Sequence, residues 1–131
     1  MAAAGPGARA GVSAAAARSG AARAFFDAEA ERIARLCHAM AERFAAGGRL
    51  IAAGETPSAR SDTRHVAVEF VHPVIVGKRA LPAIGLAGEG GPVAAQLALT
   101  VEPGDIAMLF EGAPAPEQRD VLTIGFPGGE G

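Results

Sequence analysis

Tryptophan and tyrosine are absent from this 131-residue chain, and it has one cysteine and one lysine. Half of the residues are hydrophobic, but many of these are alanine, so the core must come from Val, Leu, Ile and six Phe. The lone Cys37 cannot close an internal disulfide, and nothing therefore points to an oxidising compartment. No apolar run reaches the ~20 residues that a spanning helix needs, which excludes a membrane-crossing helix and predicts a soluble, cytoplasmic protein. A net charge of −2, with almost every cation an Arg and both signs mixed along the chain, argues against a nucleic-acid binder, which usually carries a basic patch. The length suits a single domain with a core of its own.

The first 24 residues contain Arg9, Arg18 and Arg23 but no acid, and Val12 is the one sizeable apolar side chain besides Met1. Such a segment has too little to bury to offset its ordering entropy. Residues 1–24 therefore read as a flexible Ala/Gly/Arg-rich tail, and residues 25–131 as the folded domain. The segment lacks the continuous apolar stretch of a secretory signal, although acid-free, Arg- and Ser-containing ends also occur in organelle transit peptides. Its alanines favour helix, so part of it can extend the element that follows.

From Phe25 an amphipathic pattern sets in. Phe26, Ala30, Ile33, Cys37, Met40 and Phe44 recur at spacings of four and three, with Leu36 widening the stripe. Asp27 and Glu29 suit the start of a helix, Glu31 and Arg35 form an i,i+4 pair, and Gly47-Gly48 supplies the stop. In this long helix Cys37 reads as a small buried hydrophobe and His38 as a surface residue.

Leu50 to Ala53 form a short apolar run ending at Gly54, which suits a strand buried on both faces. Gly54-Glu55-Thr56-Pro57-Ser58 is the turn after it. Ser58 or Ser61 can cap the next helix, and Ser61 is the better candidate because Asp62 then falls in the first turn. Hydroxyls and free N–H groups at such a terminus can hold a phosphate, but the carboxylate of Glu55 opposes that. In the helix, Val66 and Phe70 are expected to pack. Asp62, His65 and Glu69, at spacings of three and four, point from one face. His65 and Glu69 can hold a divalent metal, or Glu69 can act as a general base; the simplest reading of the pair is a solvated i,i+4 contact.

The ordered set of Gly47-Gly48, Leu50 to Gly54, Ser58, Asp62, His65, Glu69 and Arg79-Ala80-Leu81-Pro82-Ala83-Ile84 resembles the first half of a sugar-isomerase (SIS) domain. It is most similar to bacterial phosphoheptose isomerases and to their relative that associates with the replication initiator. Gly104-Asp105-Ile106 resembles the start of that family's third strand, and Val121-Leu122-Thr123-Ile124 its fourth. The resemblance implies an α/β fold, a three-layer, doubly wound and mostly parallel sheet, with sites at the strand C-termini. It also implies aldose–ketose isomerisation of a seven-carbon sugar phosphate through an enediol. Glu69 would stand at the position of the base, with His65 beside it. Ser58, Ser61 and Asp62 would lie on the substrate side, and zinc is a possible cofactor held in part by His65 and Glu69.

The chain also departs from the family. Its Gly-Asn-Gly-Gly-Ser turn has become Gly54-Glu55-Thr56-Pro57-Ser58, in which Pro57 removes a backbone donor. The Ser/Thr-rich, helix-opening loop after the third strand is replaced by Glu111-Gly112-Ala113-Pro114-Ala115-Pro116, leaving no room for a helix. The connection from Leu86 to Gly104 is short, with two helical turns possible over Val93 to Leu99. The segment bearing the second catalytic His has no counterpart, so the domain reads as truncated. The expectation is a non-catalytic sugar-phosphate-binding or accessory protein that associates, as a homo-oligomer or with a protein partner, through helix 25–46. The alternative is an active sedoheptulose 7-phosphate isomerase, with Glu69 as base, completed by a partner chain.

Overall fold

The computed structural model describes residue 3 and residues 5–126. In chain order the elements are α1 (Pro6–Ala45), β1 (Leu50–Ala53), α2 (Pro57–Val71), β2 (Ala83–Leu86), α3 (Val93–Thr100), β3 (Ile106–Leu109) and β4 (Leu122–Gly125). By its contacts the chain divides into two units, Met1–His38 and Ala39–Gly131. No helix among the described residues is long and apolar enough to cross a membrane.

Helix α1 corrects two expectations. It begins at Pro6, so most of the expected flexible tail of residues 1–24 is helical, although every residue of that stretch of helix is exposed. Proline at a first helical position and a run of alanines supply this helix through intrinsic propensity, without burial. The division into units likewise falls after His38 rather than at residue 24. The second correction concerns the apolar stripe. Met40 is its buried member, whereas Phe25, Phe26 and Cys37 are exposed. Among the described residues of Met1–His38 there is no second element against which a stripe could pack.

In the second unit, the end of α1 turns through Gly47, whose φ of +92° falls in the left-handed region that favours glycine. A Cβ on Gly48 would collide with the carbonyl oxygen of Gly104 and lie 3.0 Å from that of Arg43. The Gly-Gly stop is thus also a close backbone crossing. Four parallel strands follow in the order β2-β1-β3-β4. β1 and β3 are buried at every position, as their continuous apolar runs require of central strands covered on both faces.

The register fixes the two faces. Leu50 aligns with Ala83 and Ile106, and Ile51 with Ile84 and Ala107, so alternate residues share a side. Gly85, in line with Ala52, lies under α2, where a Cβ would come within 3.1 Å of the Thr63 carbonyl oxygen. Val93, Leu97 and Val101 pack on the opposite face against Ile51, Ala53, Ala107 and Leu109. One helix on each face follows from the strand order, because β1→β2 and β2→β3 run in opposite directions across the sheet. The chain is therefore α/β with an all-parallel sheet covered on both sides. β3 reaches β4 without a helix, through a segment from which Ala113 and Val121 pack onto the α3 side of the core.

The N-terminal ends of β1 and β3 are tied by Arg49 and Asp105. Arg49 donates from its backbone N–H to Oδ1 of Asp105 at 2.9 Å and from its guanidinium to Oδ2 at 2.6 Å. The same guanidinium reaches the Thr100 carbonyl at 2.8 Å, at the end of α3. The backbone N–H of Glu102 donates to Oδ2 at 3.0 Å. Burial pushes the Asp105 carboxyl up. The Arg49 guanidinium, the two backbone N–H groups and the nearby positive charge outweigh it and hold the group below its usual value of 3.8.

A carboxyl depressed in this way contributes stability above its unfolded-state value and loses that contribution as pH falls through the folded one. Asp105→Asn should therefore lower stability near neutrality by about 2–4 kcal/mol, somewhat less than the ~3–5 kcal/mol of a fully buried ion pair because the Arg49 side chain is 30% exposed. The gap from wild type should close as pH falls below about 4, where the wild-type carboxyl also protonates. Urea unfolding from pH 7 to pH 3 measures this, and parallel pH profiles for the two proteins would refute it.

Candidate functional site

In an open parallel sheet, ligands bind outside the strand C-termini where the strand order reverses. Here that point lies between β1 and β3, and Gly54-Glu55-Thr56 and Phe110-Glu111-Gly112 form its two sides. The sides are laced together by the backbone. Phe110 N–H donates to the Ala53 carbonyl at 2.8 Å, and Glu55 N–H to the Glu111 carbonyl at 3.0 Å. Thr56 Oγ1 donates to Oε2 of Glu111 at 3.3 Å.

Two glycines make this packing possible. A Cβ on Gly54 would sit 2.7 Å from the Ala59 carbonyl oxygen, so the first turn of α2 rests against the strand end. Gly112, at a φ of +86°, has the Cβ of Glu55 2.9 Å from where its own would be. On the adjoining strand ends, Phe110 and Phe126 stack with centroids 5.1 Å apart and planes at 13°. The switch point therefore carries the exposed carboxylates of Glu55 and Glu111 and an aromatic pair nearby. Two negative charges at this edge disfavour a phosphate there.

Thr56 caps α2, accepting the Ala59 N–H at 3.3 Å, and Pro57 occupies the first helical position, where its missing N–H costs nothing. The expected cap at Ser61 is thus corrected. Ser61 lies in the second turn, and Thr56-Pro57 supplied the stronger start signal. Ser58 lies in the first turn and is exposed.

Asp62, His65 and Glu69 are all exposed, because Ala59 and Thr63 take the buried face of the helix. His65 Nε2 and Glu69 Oε1 are 3.5 Å apart, with the side chains 75% and 47% exposed. At 1.5 Å per residue, Ser58 and Glu69 lie about 16 Å apart along the helix, so one protomer does not present both to one small ligand. A catalytic zinc commonly takes three protein ligands and an open position. Among the described residues no group of three His, Cys, Asp or Glu could hold a metal. The His65–Glu69 pair of one chain does not fit a zinc centre, and no step is routed through one.

The other flank of α2 is set by charge as well. Arg64 pairs with Glu89 in the loop after β2, whose backbone carbonyl also accepts from Gln96 at 2.8 Å. Sequence reading placed Glu55 at the strand end, but it assigned no role there to Thr56, Phe110, Glu111 or Phe126. The signal for Glu111 was present, since a residue just after a central parallel strand lies at the ligand edge.

An exposed helical i,i+4 pair contributes a few tenths of a kcal/mol. His65→Ala and Glu69→Gln should each shift the unfolding midpoint by the equivalent of less than about 0.5 kcal/mol, whereas Thr56→Ala should cost about 1 kcal/mol through the lost cap. Denaturant titration of the three variants tests the ranking, and a larger loss at Glu69 than at Thr56 would show that Glu69 holds the fold.

No family model matches the chain, and a search of curated proteins finds no significant match.

Proposed function

We propose that this protein is a phosphoheptose-isomerase-like SIS-domain protein that has kept the fold and lost turnover, serving as a sugar-phosphate-binding or accessory protein. The motifs from Gly47 to Ile84 and the parallel order β2-β1-β3-β4 support the family reading. The position of Glu69 carries the non-catalytic part. A base must approach the substrate carbon in a site that excludes water, yet this carboxylate is about half exposed, on the outer side of α2, paired with His65. Glu55 and Glu111 stand where a phosphate-cradling loop would have to supply N–H and hydroxyl donors.

The competing reading, an isomerase with Glu69 as base and its remaining groups supplied by a partner chain, remains open to experiment. A coupled turnover assay with sedoheptulose 7-phosphate, with and without zinc, on wild type and Glu69→Gln separates the two. The expected result is no turnover in either protein, with both shown folded by circular dichroism. Wild-type turnover abolished in Glu69→Gln would overturn the proposal and establish Glu69 as the base.

A further inference from the structure

From Phe70 to Gly88 the chain carries no acid, in a protein whose net charge is −2. Lys78 and Arg79 are the cations of this stretch, and His72 precedes them. Its middle is the connection from α2 to β2, which turns apolar side chains outward: Val74 is 82% exposed, Ile75 61% and Val76 fully. Exposed apolar residues scattered singly are ordinary, but three β-branched ones in succession form a patch that asks for a partner.

The patch is displayed by an ordered backbone. Leu81 N–H donates to the Phe70 carbonyl at 2.9 Å and closes the loop at its neck. Lys78 N–H donates to the Ile75 carbonyl at 3.1 Å, with Gly77 at a φ of +82° making the turn between them. Neither Lys78 nor Arg79 joins an ion pair among the described residues. Glu69, the acid that precedes the loop, lies against His65.

We propose that this loop docks the protein on an anionic bilayer surface, with Val74, Ile75 and Val76 entering the interface and Lys78 and Arg79 among the headgroups. The order of the chemistry selects a lipid surface. The apolar residues occupy the apex and the cations follow toward the neck, while a bilayer presents negative headgroups first and an apolar phase about 5–10 Å beneath them. A protein partner held by this tip alone would gain little, because a stable interface buries about 800 Å² on each side, far more than three side chains supply. The contact needs no spanning helix, and none is present among the described residues.

The charge layout of the domain agrees. The loop leads into Ala83, the first residue of β2, and so lies at the N-terminal edge of the parallel sheet. Glu55 and Glu111 stand at the opposite edge, away from the negative surface. The exposed acids of the N-terminal edge are offset, Glu102 by Arg49 at 3.6 Å and Asp120 by Arg43 at 3.0 Å. The candidate site thus stays open to water when the loop is docked. Lipid binding neither requires nor supplies a sugar-phosphate site, so the inference stands apart from the isomerase-like reading.

The absence of Trp and Tyr gives a clean optical test. Val76→Trp places a single indole at the apex, and its emission should shift to the blue on vesicles of equal parts phosphatidylcholine and phosphatidylglycerol at low salt. Co-sedimentation should capture the wild-type chain at least about tenfold better on those vesicles than on phosphatidylcholine alone, and salt at about 0.5 M should weaken the capture. Lys78→Glu with Arg79→Glu, and separately Ile75→Ser with Val76→Ser, should each weaken it at least about tenfold while the helical signal stays unchanged. No capture of the wild type, or capture that both double variants retain, would overturn the proposal. So would a blue shift of Val12→Trp on α1 with none of Val76→Trp. A shift of Val76→Trp with soluble polyglutamate but none with vesicles would assign the tip to an acidic protein and overturn it as well.

Discussion

The Arg49–Asp105 pair holds the parallel sheet together at its N-terminal edge. Parallel neighbours have no hairpin between them, so β1 and β3 meet only after α2, β2 and α3 have been laid down, 56 residues apart in the chain. Asp105 spends its carboxylate on Arg49 and on the Glu102 N–H, and Arg49 spends its guanidinium on Asp105 and the last carbonyl of α3. One ion pair thus fixes the starts of two central strands and the end of the helix that covers them. Because Asp105 is almost fully buried, with its charge and acceptors engaged, removing Arg49 strands a carboxylate away from water. Arg49, 30% exposed, keeps access to solvent and to Glu102 when Asp105 is removed.

The opposite edge of the sheet is built differently. Backbone hydrogen bonds and close glycine contacts bring Glu55 and Glu111 together, and the Thr56 hydroxyl donates to Glu111. The asymmetry has a functional sense. Cation and anion neutralise each other at the edge that holds the fold, whereas the ligand edge keeps uncompensated negative charge. Under the proposed sugar-phosphate reading, a sugar hydroxyl matches those carboxylates better than a phosphate does, and the phosphate would lie away from the Glu55–Glu111 pair.

Much of this fold was legible because central parallel strands have a blunt signature. Leu50–Ala53 is a four-residue apolar run closed by glycine, and no helix could be mistaken for it. The shared face of Asp62, His65 and Glu69 followed from helical period alone. Their exposure did not, because the buried face of α2 is made of small residues, Ala59 and Thr63, which do not stand out as a core stripe. The start of α2 was misread because two cap patterns overlapped, Thr56-Pro57 and Ser61-Asp62, and the earlier one won by placing proline where no donor is needed. The partner of Asp105 was invisible for a simpler reason: nothing local in the sequence links Arg49 to a residue 56 positions on.

The N-terminal stretch exposes a deeper ambiguity in alanine-rich sequence. Low burial capacity argues for disorder, and high propensity argues for helix; for residues 6–24 propensity prevails, and no burial accompanies it. A helix formed on those terms has its backbone ordered in advance, so a partner need supply only side-chain contacts and not the entropy of folding.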